Sequence, residues 1–171
     1  MKKIFLILSV IFAGHFASAQ KYVFVDSEYI LKNIPAYEAA NDELSKLSGE
    51  WQKQIEKMYN EVSEMYKAYQ TESVFLSNEM KKKREDEIIA KEKKAKDLQQ
   101  QYFGPKGELF KKREALIKPI QDEIYNAITE ISGEKNYAAV FDKSSGMGVM
   151  YSNPKYDISD MVLERMGIKK Q

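Results

Sequence analysis

Apolar residues recur at steps of three or four along residues 36–72, a stretch that contains no proline. This spacing places them on one face of a helix, and from Trp51 onward the steps alternate between four and three as in a coiled coil. The stripe consists of Leu44, Leu47, Trp51, Ile55, Met58, Val62, Met65 and Tyr69. The pattern therefore predicts one helix of roughly 55 Å, which should project from a chain whose compact globe would be about 30 Å across.

Residues 71–78 predict a reversal of the chain, and residues 78–102 predict a second helix that is far more polar. Ser77 is expected to cap this helix by accepting a backbone N–H bond, and Glu79 suits its first turn. Residues 81–97 include eight basic and five acidic side chains, so the distal part of the hairpin is basic. Two interpretations stay open: a solvated face with ion pairs four residues apart, or a surface that attracts acidic segments or anionic lipid.

Residues 103–107, Phe-Gly-Pro-Lys-Gly, interrupt the helical pattern because proline and glycine do not continue a helix. An apolar face then resumes with Phe110, Leu116, Ile117, Ile120, Ile124, Ile128 and Ile131. Pro119 is expected to bend this helix and Gly133 to end it. The returning segment is apolar enough to pack against the early part of the first long helix, which gives an antiparallel hairpin. Flexure of the hairpin at the Gly104-Pro105 break is a hypothesis.

The two ends of the chain change to the period of strands. Residues 22–26 and 137–142 are β-branched and aromatic, and both predict short strands. Residues 143–146 predict a turn, and residues 147–151 predict a strand that pairs with the one before it. One or two helical turns are expected at residues 27–31.

A last short helix is expected to be capped by Asp157 or Ser159. The elements together predict an α+β fold, in which a long antiparallel helical hairpin, a coiled-coil-like arm, extends from a small β body. The body should comprise about residues 20–35 and 134–171, and the arm about residues 36–133.

Such a small sheet predicts association between copies of the chain. Three strands of about five residues are near the lower limit of independent stability, and an open sheet exposes two edges that invite pairing with another chain. Several copies that close a ring or barrel would remove these edges. The residues expected at this oligomer interface are Val23, Val25, Val140, Phe141 and Val149. The residues alone favour a dimer or a trimer.

The N-terminus has the pattern of an export signal. Lys2 and Lys3 precede an apolar run over residues 4–16, and residues 17–19, Ala-Ser-Ala, form a small-x-small cleavage site. The run of about 13 residues is short for a membrane-spanning anchor, the alternative interpretation, which needs about 20. We therefore expect a signal peptide over residues 1–19, cleavage after Ala19 and a periplasmic mature chain of residues 20–171.

The composition of the mature chain excludes several kinds of chemistry. The sequence has no cysteine, and its one histidine, His15, lies in the predicted signal peptide. Disulfides, Cys/His zinc sites and His-dependent nucleophiles are therefore excluded, and no catalytic residue, metal site or cofactor is predicted. Without Lys2 and Lys3, 25 basic and 26 acidic residues remain, and this balance also argues against a nucleic-acid partner.

Four segments resemble, in the correct order, the Skp/OmpH-like family of periplasmic chaperones. They are Asp26 followed by Ser-Glu-Tyr-Ile-Leu, Leu76-Ser77-x-Glu79, Tyr137-x-x-Val140-Phe141-Asp142, and Asp157-Ile158-Ser159-x-x-Val162-Leu163. Each motif is weak alone, but the ordered set covers the mature chain and follows an export signal. Residues 20–171 would then be a single Skp/OmpH-like domain.

The resemblance implies a jellyfish-like homotrimer whose helical arms enclose a cavity. It also implies an ATP-independent holdase that keeps unfolded outer-membrane proteins in this cavity. The composition, not the resemblance, argues against an enzyme. Weak contact between the basic arm and anionic lipid is a further expectation. The alternative function is a structural coiled-coil spacer or adaptor of the cell envelope, which should have a tightly paired arm without exposed aromatic residues at its tip.

Client binding is expected from adaptable apolar side chains along the arm, because methionine repacks easily and tyrosine combines an apolar ring with a polar end. The heptad pattern places Met58, Val62, Met65 and Tyr69 mainly in the hairpin seam. The residues predicted to contact clients are Tyr59, Tyr66, Phe75, Leu76 and Met80. Ordinary packing within the hairpin is the alternative role for each of them.

Overall fold

The computed structural model describes residues 21–146 and 148–169, and the predicted signal peptide lies outside them. Two compact units are formed, here called the hairpin unit (Ile34–Glu123) and the body unit (the described residues of 1–33 and 124–171). In chain order the elements are β1 (Lys21–Val25), α1 (Ser27–Lys32), α2 (Pro35–Glu72), α3 (Asn78–Phe103), α4 (Glu108–Lys135), β2 (Tyr137–Asp142) and α5 (Ser159–Arg165), with 3-10 turns at Ser73–Phe75 and Pro154–Tyr156.

The helices of the hairpin unit begin at residues suited to helix starts. Pro35 is the first residue of α2, where its fixed φ angle is favourable and its missing N–H is not needed. The Ser77 hydroxyl accepts a hydrogen bond from the backbone N–H of Met80 at 3.3 Å, as the sequence predicts. The helices expected over residues 36–72 and 78–102 are confirmed to within one residue at each end.

Aromatic rings and a thin apolar seam join α2 to α3. The rings of Trp51 and Tyr102 stack with centroids 4.6 Å apart, and Phe103 meets the edge of Trp51 at 6.3 Å. Ile55 of α2 and Ile88 of α3 are buried farther along. Because α3 is so polar, the apolar seam is narrow, and polar contacts supply much of the remaining pairing.

These polar contacts run across the hairpin toward the turn. The Glu61 carboxylate lies 2.5 Å from the Lys91 ammonium, whose hydrogen bond lowers the pKa of Glu61. Nearer the turn the Tyr69 hydroxyl donates to Glu85, and this bond raises the pKa of Tyr69. Exposed pairs of this kind contribute little stability each, so they add little to the apolar seam.

The break between α3 and α4 is a closely packed glycine turn. The backbone N–H of Gly107 donates to the carbonyl of Gly104 at 2.8 Å. A Cβ atom at Gly107 would lie 2.8 Å from the carbonyl oxygens of Gln101 and Tyr102, which real side chains do not tolerate. The predicted break is confirmed, and flexure at this point would require the packing of the turn to open.

Helix α4 does not end at Gly133, as the sequence suggested, but continues to Lys135. The left-handed residue that follows the helix is Asn136, with φ of 54°. Asparagine tolerates this conformation better than most residues, whereas glycine inside a helix costs only about 1 kcal/mol relative to alanine. Pro119 also lies within α4 and does not end it.

In the body unit β1 and β2 form a parallel pair, with Val23 opposite Val140 and Val25 opposite Asp142. Ile30 of α1, Ile131 of α4 and Val162 of α5 are fully buried in this unit. A side chain of this size stabilises the fold by about 1.5–3 kcal/mol when it is buried. The core of the body unit therefore joins residues from the beginning and the end of the chain.

The strand predicted at residues 147–151 is wrong for the part that is described, because residues 148–151 form no strand. Met147 lies outside the described residues. Gly146 and Gly148 have φ angles of 74° and 69°, which interrupt an extended backbone. The segment after β2 is instead bonded to the start of α1, because the Asp142 carboxylate accepts hydrogen bonds from both Ser27 and Ser144.

A polar network joins β1, the residue after β2 and the start of α5. The Lys143 ammonium lies 2.7 Å from the Asp157 carboxylate and 3.5 Å from that of Asp26. The buried Ser159 hydroxyl donates to Asp157 at 2.6 Å and accepts from the backbone N–H of Asp26 at 2.8 Å. The network fixes α5 against β1, although the two elements are far apart in sequence.

The prediction that Asp157 or Ser159 caps α5 is wrong in its position. Helix α5 begins at Ser159, and its N-cap position is Ile158 rather than Asp157 or Ser159. The Asp157 carboxylate still accepts a hydrogen bond from the backbone N–H of Ser159 at 2.9 Å. Asp157 thus bonds the first N–H of α5 from the position before the N-cap.

Replacing Ser159 by alanine should destabilise the protein by about 1–3 kcal/mol, because it leaves the part-buried Asp26 N–H without its acceptor. Urea unfolding followed by circular dichroism measures this change. The control is Ser63→Ala on the exposed face of α2, which should stay within about 0.5 kcal/mol of the wild type. Equal stability of both variants would contradict the role given to Ser159.

The network also predicts a loss of stability in acid. Burial alone would raise the pKa of Asp157, but hydrogen bonds from Lys143 and Ser159 outweigh it and hold the pKa below its usual value. The stabilisation is therefore complete above the unfolded-state pKa and is lost as the pH falls below about 4. Asp157→Asn should be less stable at pH 7 and lose less stability between pH 5 and pH 3. Parallel pH profiles of the two proteins would argue against this.

Candidate functional site

The turn between α2 and α3 exposes two large apolar side chains. Val74 and Phe75 retain 76% and 88% of their accessible surface. They stand in the 3-10 turn Ser73–Phe75, which is closed by a hydrogen bond from the Leu76 N–H to the Ser73 carbonyl at 3.3 Å. Because this turn is only three residues long, it holds its side chains outward instead of folding them onto the helices.

Leu76 and Met80 extend this apolar turn into the start of α3. Met80 is exposed, whereas Leu76 is half-buried. We call Val74, Phe75, Leu76 and Met80 the tip surface. The three predicted client residues Phe75, Leu76 and Met80 are therefore grouped at one end of the hairpin, and the structure adds Val74 to them.

The two predicted tyrosines differ in how far they belong to the hairpin. Tyr59 is 37% exposed, and its hydroxyl donates to the Gln99 side chain across the hairpin at 3.2 Å. Tyr66 is 52% exposed. Both lie earlier on α2 than the tip surface. Tyr66 offers more of its ring, while Tyr59 combines a structural contact with an exposed edge.

The predicted seam is only partly buried. Met58, Val62, Met65 and Tyr69 are all half-buried. On α3 the neighbours Ile88 and Ile89 show the limit of the seam, because Ile88 is buried and Ile89 is exposed. Consecutive residues on a helix point about 100° apart, so only one of an Ile-Ile pair can face α2. Two adjacent isoleucines in a polar helix are therefore the sequence signal for an exposed apolar residue on α3.

Positive charge lies beside the tip surface. Arg84 pairs with Glu72 at 3.4 Å and with Glu87 at 3.9 Å. Lys93 pairs with Asp97 four residues later, as the solvated-face interpretation predicts. Within the described residues no carboxylate lies within ion-pair distance of the lysines at positions 81–83. Ion pairs thus neutralise only some of the basic side chains of α3, and the lysines at positions 81–83 beside the turn are not among them.

The residues predicted at an oligomer interface divide into two groups. Val23 and Val25 are buried in the body unit itself, where they contribute to its core. Val140, Phe141 and Val149 are half-buried. The Phe141 ring packs against Tyr22 and Phe24 of β1 at centroid distances of 6.2 and 5.9 Å. Of the five residues predicted at an interface, those that keep exposed surface therefore lie on β2 and in the segment after it.

The described residues, 21–146 and 148–169, contain neither a metal-ion cluster nor a helix suited to cross a membrane. No group of three or more His, Cys, Asp or Glu side chains in these ranges is arranged to hold a metal ion. No helix there combines the length and the apolar character that a membrane crossing requires.

Residues 21–166 match the model of the OmpH family, outer membrane protein (OmpH-like). The chain belongs to the OmpH-like family. This match confirms the resemblance that the four sequence segments indicate. No curated protein sequence matches the chain. Because the family match spans both units, the tip surface and the body unit are parts of an OmpH-like protein.

A solved structure shares the fold of this OmpH-like protein. It is a protein of Caulobacter crescentus CB15, assigned as an outer membrane chaperone (OmpH-like), with a TM-score of 0.69 and 14% sequence identity. The match covers 92% of this chain and 90% of that chain. The likeness therefore extends over nearly the whole fold.

The different roles of the two tyrosines can be measured. Tyr59→Ala should destabilise the hairpin by about 1–2 kcal/mol, since it removes ring packing and the bond to Gln99, whereas Tyr66→Ala should change stability by less than about 0.5 kcal/mol. Trp51, the single tryptophan, lies in the seam and reports unfolding by fluorescence. A larger loss for Tyr66→Ala would show that Tyr66 is the structural residue of the two.

Proposed function

We propose that this OmpH-like protein is an envelope chaperone that holds unfolded outer-membrane proteins without ATP and without catalysis. Family membership supports a chaperone role, and the solved structure with the same fold is described as an outer membrane chaperone. The observation that carries the proposal is the exposure of Val74 and Phe75 at the end of the hairpin. Apolar side chains that stay exposed add no stability to the folded chain, and exposed apolar patches mark sites where a partner binds.

The chemistry of the tip surface suits a client without a fixed structure. An unfolded β-barrel protein exposes short apolar segments in many positions, so a rigid pocket would fit few of them. Met80 and Phe75 can pack against many apolar shapes. Each contact is weak, and several contacts on one client add through avidity. Tyr59 and Tyr66 would extend the contact along α2.

The proposed working form is a homotrimer in the periplasm, with the signal peptide removed after Ala19. Among the described residues β2 pairs only with β1, so its outer edge is available for association. Met150 is fully exposed in the segment that follows β2. A neighbouring copy that covers Val140, Phe141 and Val149 would remove this edge. Val23 and Val25 would then support the interface from within the body core.

Anionic lipid is proposed as a secondary, weak partner of the arm. The lysines at positions 81–83 have no ion-pair partner within the described residues, and they lie beside the exposed apolar tip. Basic side chains next to apolar ones favour negatively charged interfaces. The chain as a whole is close to neutral, which argues against a nucleic-acid partner.

The hairpin favours a spacer or adaptor role less than a chaperone role. Such a protein should close its apolar seam up to the turn, because any exposed apolar side chain there invites aggregation. Phe75 lies in the turn and is almost completely exposed. The seam residues are also only half-buried and α3 is polar, so the seam does not close as tightly as the seam of a spacer should.

The test dilutes an unfolded outer-membrane β-barrel protein from urea and follows its aggregation by light scattering. The wild-type mature chain should suppress aggregation without ATP, with three copies bound to each client by in-line mass measurement. Replacing both Val74 and Phe75 by serine should weaken suppression by about three- to tenfold, because the best exposed contacts are lost.

A matched control removes an exposed apolar side chain from the body unit. Tyr125→Ser on α4 should suppress aggregation as well as the wild type, since Tyr125 is exposed but lies outside the hairpin unit. Thermal unfolding of all variants confirms that they are folded. If wild-type protein fails to suppress aggregation, the holdase proposal is wrong, and equal loss in both variants would remove the tip surface from it.

A further inference from the structure

The body unit contains a concave surface, here called the lysine pocket. Its volume is about 610 Å³, and Lys21, Lys135 and Lys155 line it. These lysines come from β1, the end of α4 and the 3-10 turn before α5. Cavities that bind small organic groups typically measure about 300–1,000 Å³, so the lysine pocket is large enough for a ligand the size of one or two residues.

The charge of the lysine pocket is positive and locally unbalanced. Within the described residues, none of its three lysines lies within ion-pair distance of a carboxylate. Asp157 is the acidic residue that lines the pocket, but its carboxylate is already bound to Lys143 at 2.7 Å and to Ser159. The pocket therefore favours an anion.

The walls of the lysine pocket are aromatic and apolar as well as basic. Tyr22, Tyr137, Tyr156 and Met161 line it together with the lysines. Tyr156 and Met161 keep exposed surface toward solvent. The pocket floor is fixed, because the backbone N–H of Ile158 donates to the carbonyl of Phe24 at 2.9 Å. A ligand that combines a ring with a nearby negative charge would use both kinds of wall.

We propose that the lysine pocket binds a carboxylate attached to an aromatic residue, as found at the carboxyl end of a polypeptide chain. A terminal aromatic residue carries its ring and its carboxylate on one Cα atom, so the two can reach the aromatic and basic walls together. Capture of a terminal carboxylate is an established mode of peptide recognition. That the peptide comes from an unfolded client rests on the function proposed above.

Carboxylate is favoured over phosphate by the apolar walls. A phosphate group is more strongly hydrated than a carboxylate and would lose more of its water beside the tyrosine rings and the methionine side chain. A carboxylate needs fewer donors, and lysine ammonium groups supply them as mobile point charges. A free aromatic acid shares this chemistry with a peptide terminus, so the experiment must separate these two sources.

The test measures fluorescence anisotropy with the full mature chain and a short, amino-terminally labelled peptide that ends in phenylalanine. The peptide with a free terminal carboxylate should bind about tenfold more tightly than the same peptide with a terminal amide, as expected for charge-assisted hydrogen bonds. Unlabelled N-acetylphenylalanine should compete if the terminal residue alone is sufficient. If only the longer peptide competes, the polypeptide terminus is the ligand, and both results support the site.

Two charge-matched double variants locate the effect. Lys135→Glu with Lys155→Glu should abolish the preference for the carboxylate, whereas Lys94→Glu with Lys96→Glu on exposed positions of α3 should leave it intact. All four lysines are exposed, and thermal unfolding verifies that both variants are folded. Equal loss in both variants would indicate general electrostatic attraction and overturn the proposal.

Other outcomes also decide against the lysine pocket. Equal affinity for the amide and carboxylate peptides would overturn the proposal, and so would displacement of the peptide by anionic lipid vesicles that requires Lys135 and Lys155. The peptide test is independent of aggregation. A chain that discriminates the carboxylate but does not suppress aggregation keeps the site and loses the proposed function. The Val74 and Phe75 double variant should bind the peptide normally.

Discussion

The parallel pairing of β1 with β2 is the constraint on which the rest of the structure depends. Two parallel strands cannot be joined by a tight turn and need a crossover connection. Here residues 26–136 form that connection, and the whole hairpin unit lies within it. Closing a longer loop costs only slightly more, because the entropy cost rises with the logarithm of loop length. The body unit can therefore carry a very long hairpin at little extra cost in stability.

The body unit offsets this entropy cost with contacts between residues that lie far apart in the sequence. The Asp26 N–H to Ser159 bond, the Ser27 to Asp142 bond and the Lys143 to Asp157 ion pair all lie around the ends of the two strands. Ile30, Ile131 and Val162 supply the apolar core beneath them. Polar groups with complete hydrogen bonding give this small core a definite arrangement. The hairpin unit also buries apolar residues such as Leu44, Ile55 and Ile88, but its seam is narrow and it leaves Val74 and Phe75 exposed at the turn.

Much of the fold could be predicted because helical periodicity is a local property. The stripe from Leu44 to Tyr69 gave α2, and Ser77 marked the start of α3. The strand at residues 147–151 was predicted because Val149 and Met150 are typical strand residues. The prediction was wrong because the left-handed conformations of Gly146 and Gly148 and the hydrogen bond from Ser144 to Asp142 determine the backbone there. The helix end predicted at Gly133 was wrong for a related reason. The helix continues until a residue adopts the left-handed conformation, and Asn136 is that residue.

The candidate site was predictable only in part, because exposure depends on which neighbours are present. Phe75 and Met80 were found from residue type near a turn, but nothing in their spacing showed that Leu76 would fold partly inward. Val74 was missed because one β-branched residue beside a phenylalanine equally suits a buried turn. Val23 and Val25 were expected to face another chain, yet they complete the core of their own body unit, and whether they also support an interface stays a prediction.

The net charge of this protein is close to zero, but positive charge remains unpaired in two places. Both proposed binding surfaces depend on this local positive charge. The full sequence has 27 basic and 26 acidic residues, yet ion pairs neutralise the basic side chains unevenly. Arg84, Lys91 and Lys93 have acidic partners, while the lysines beside the tip surface and around the lysine pocket have none among the described residues. An exposed pair that forms contributes little stability, so leaving a lysine unpaired also costs little. Positive charge can therefore remain beside the tip surface and around the lysine pocket, available to bind a partner, without weakening the fold.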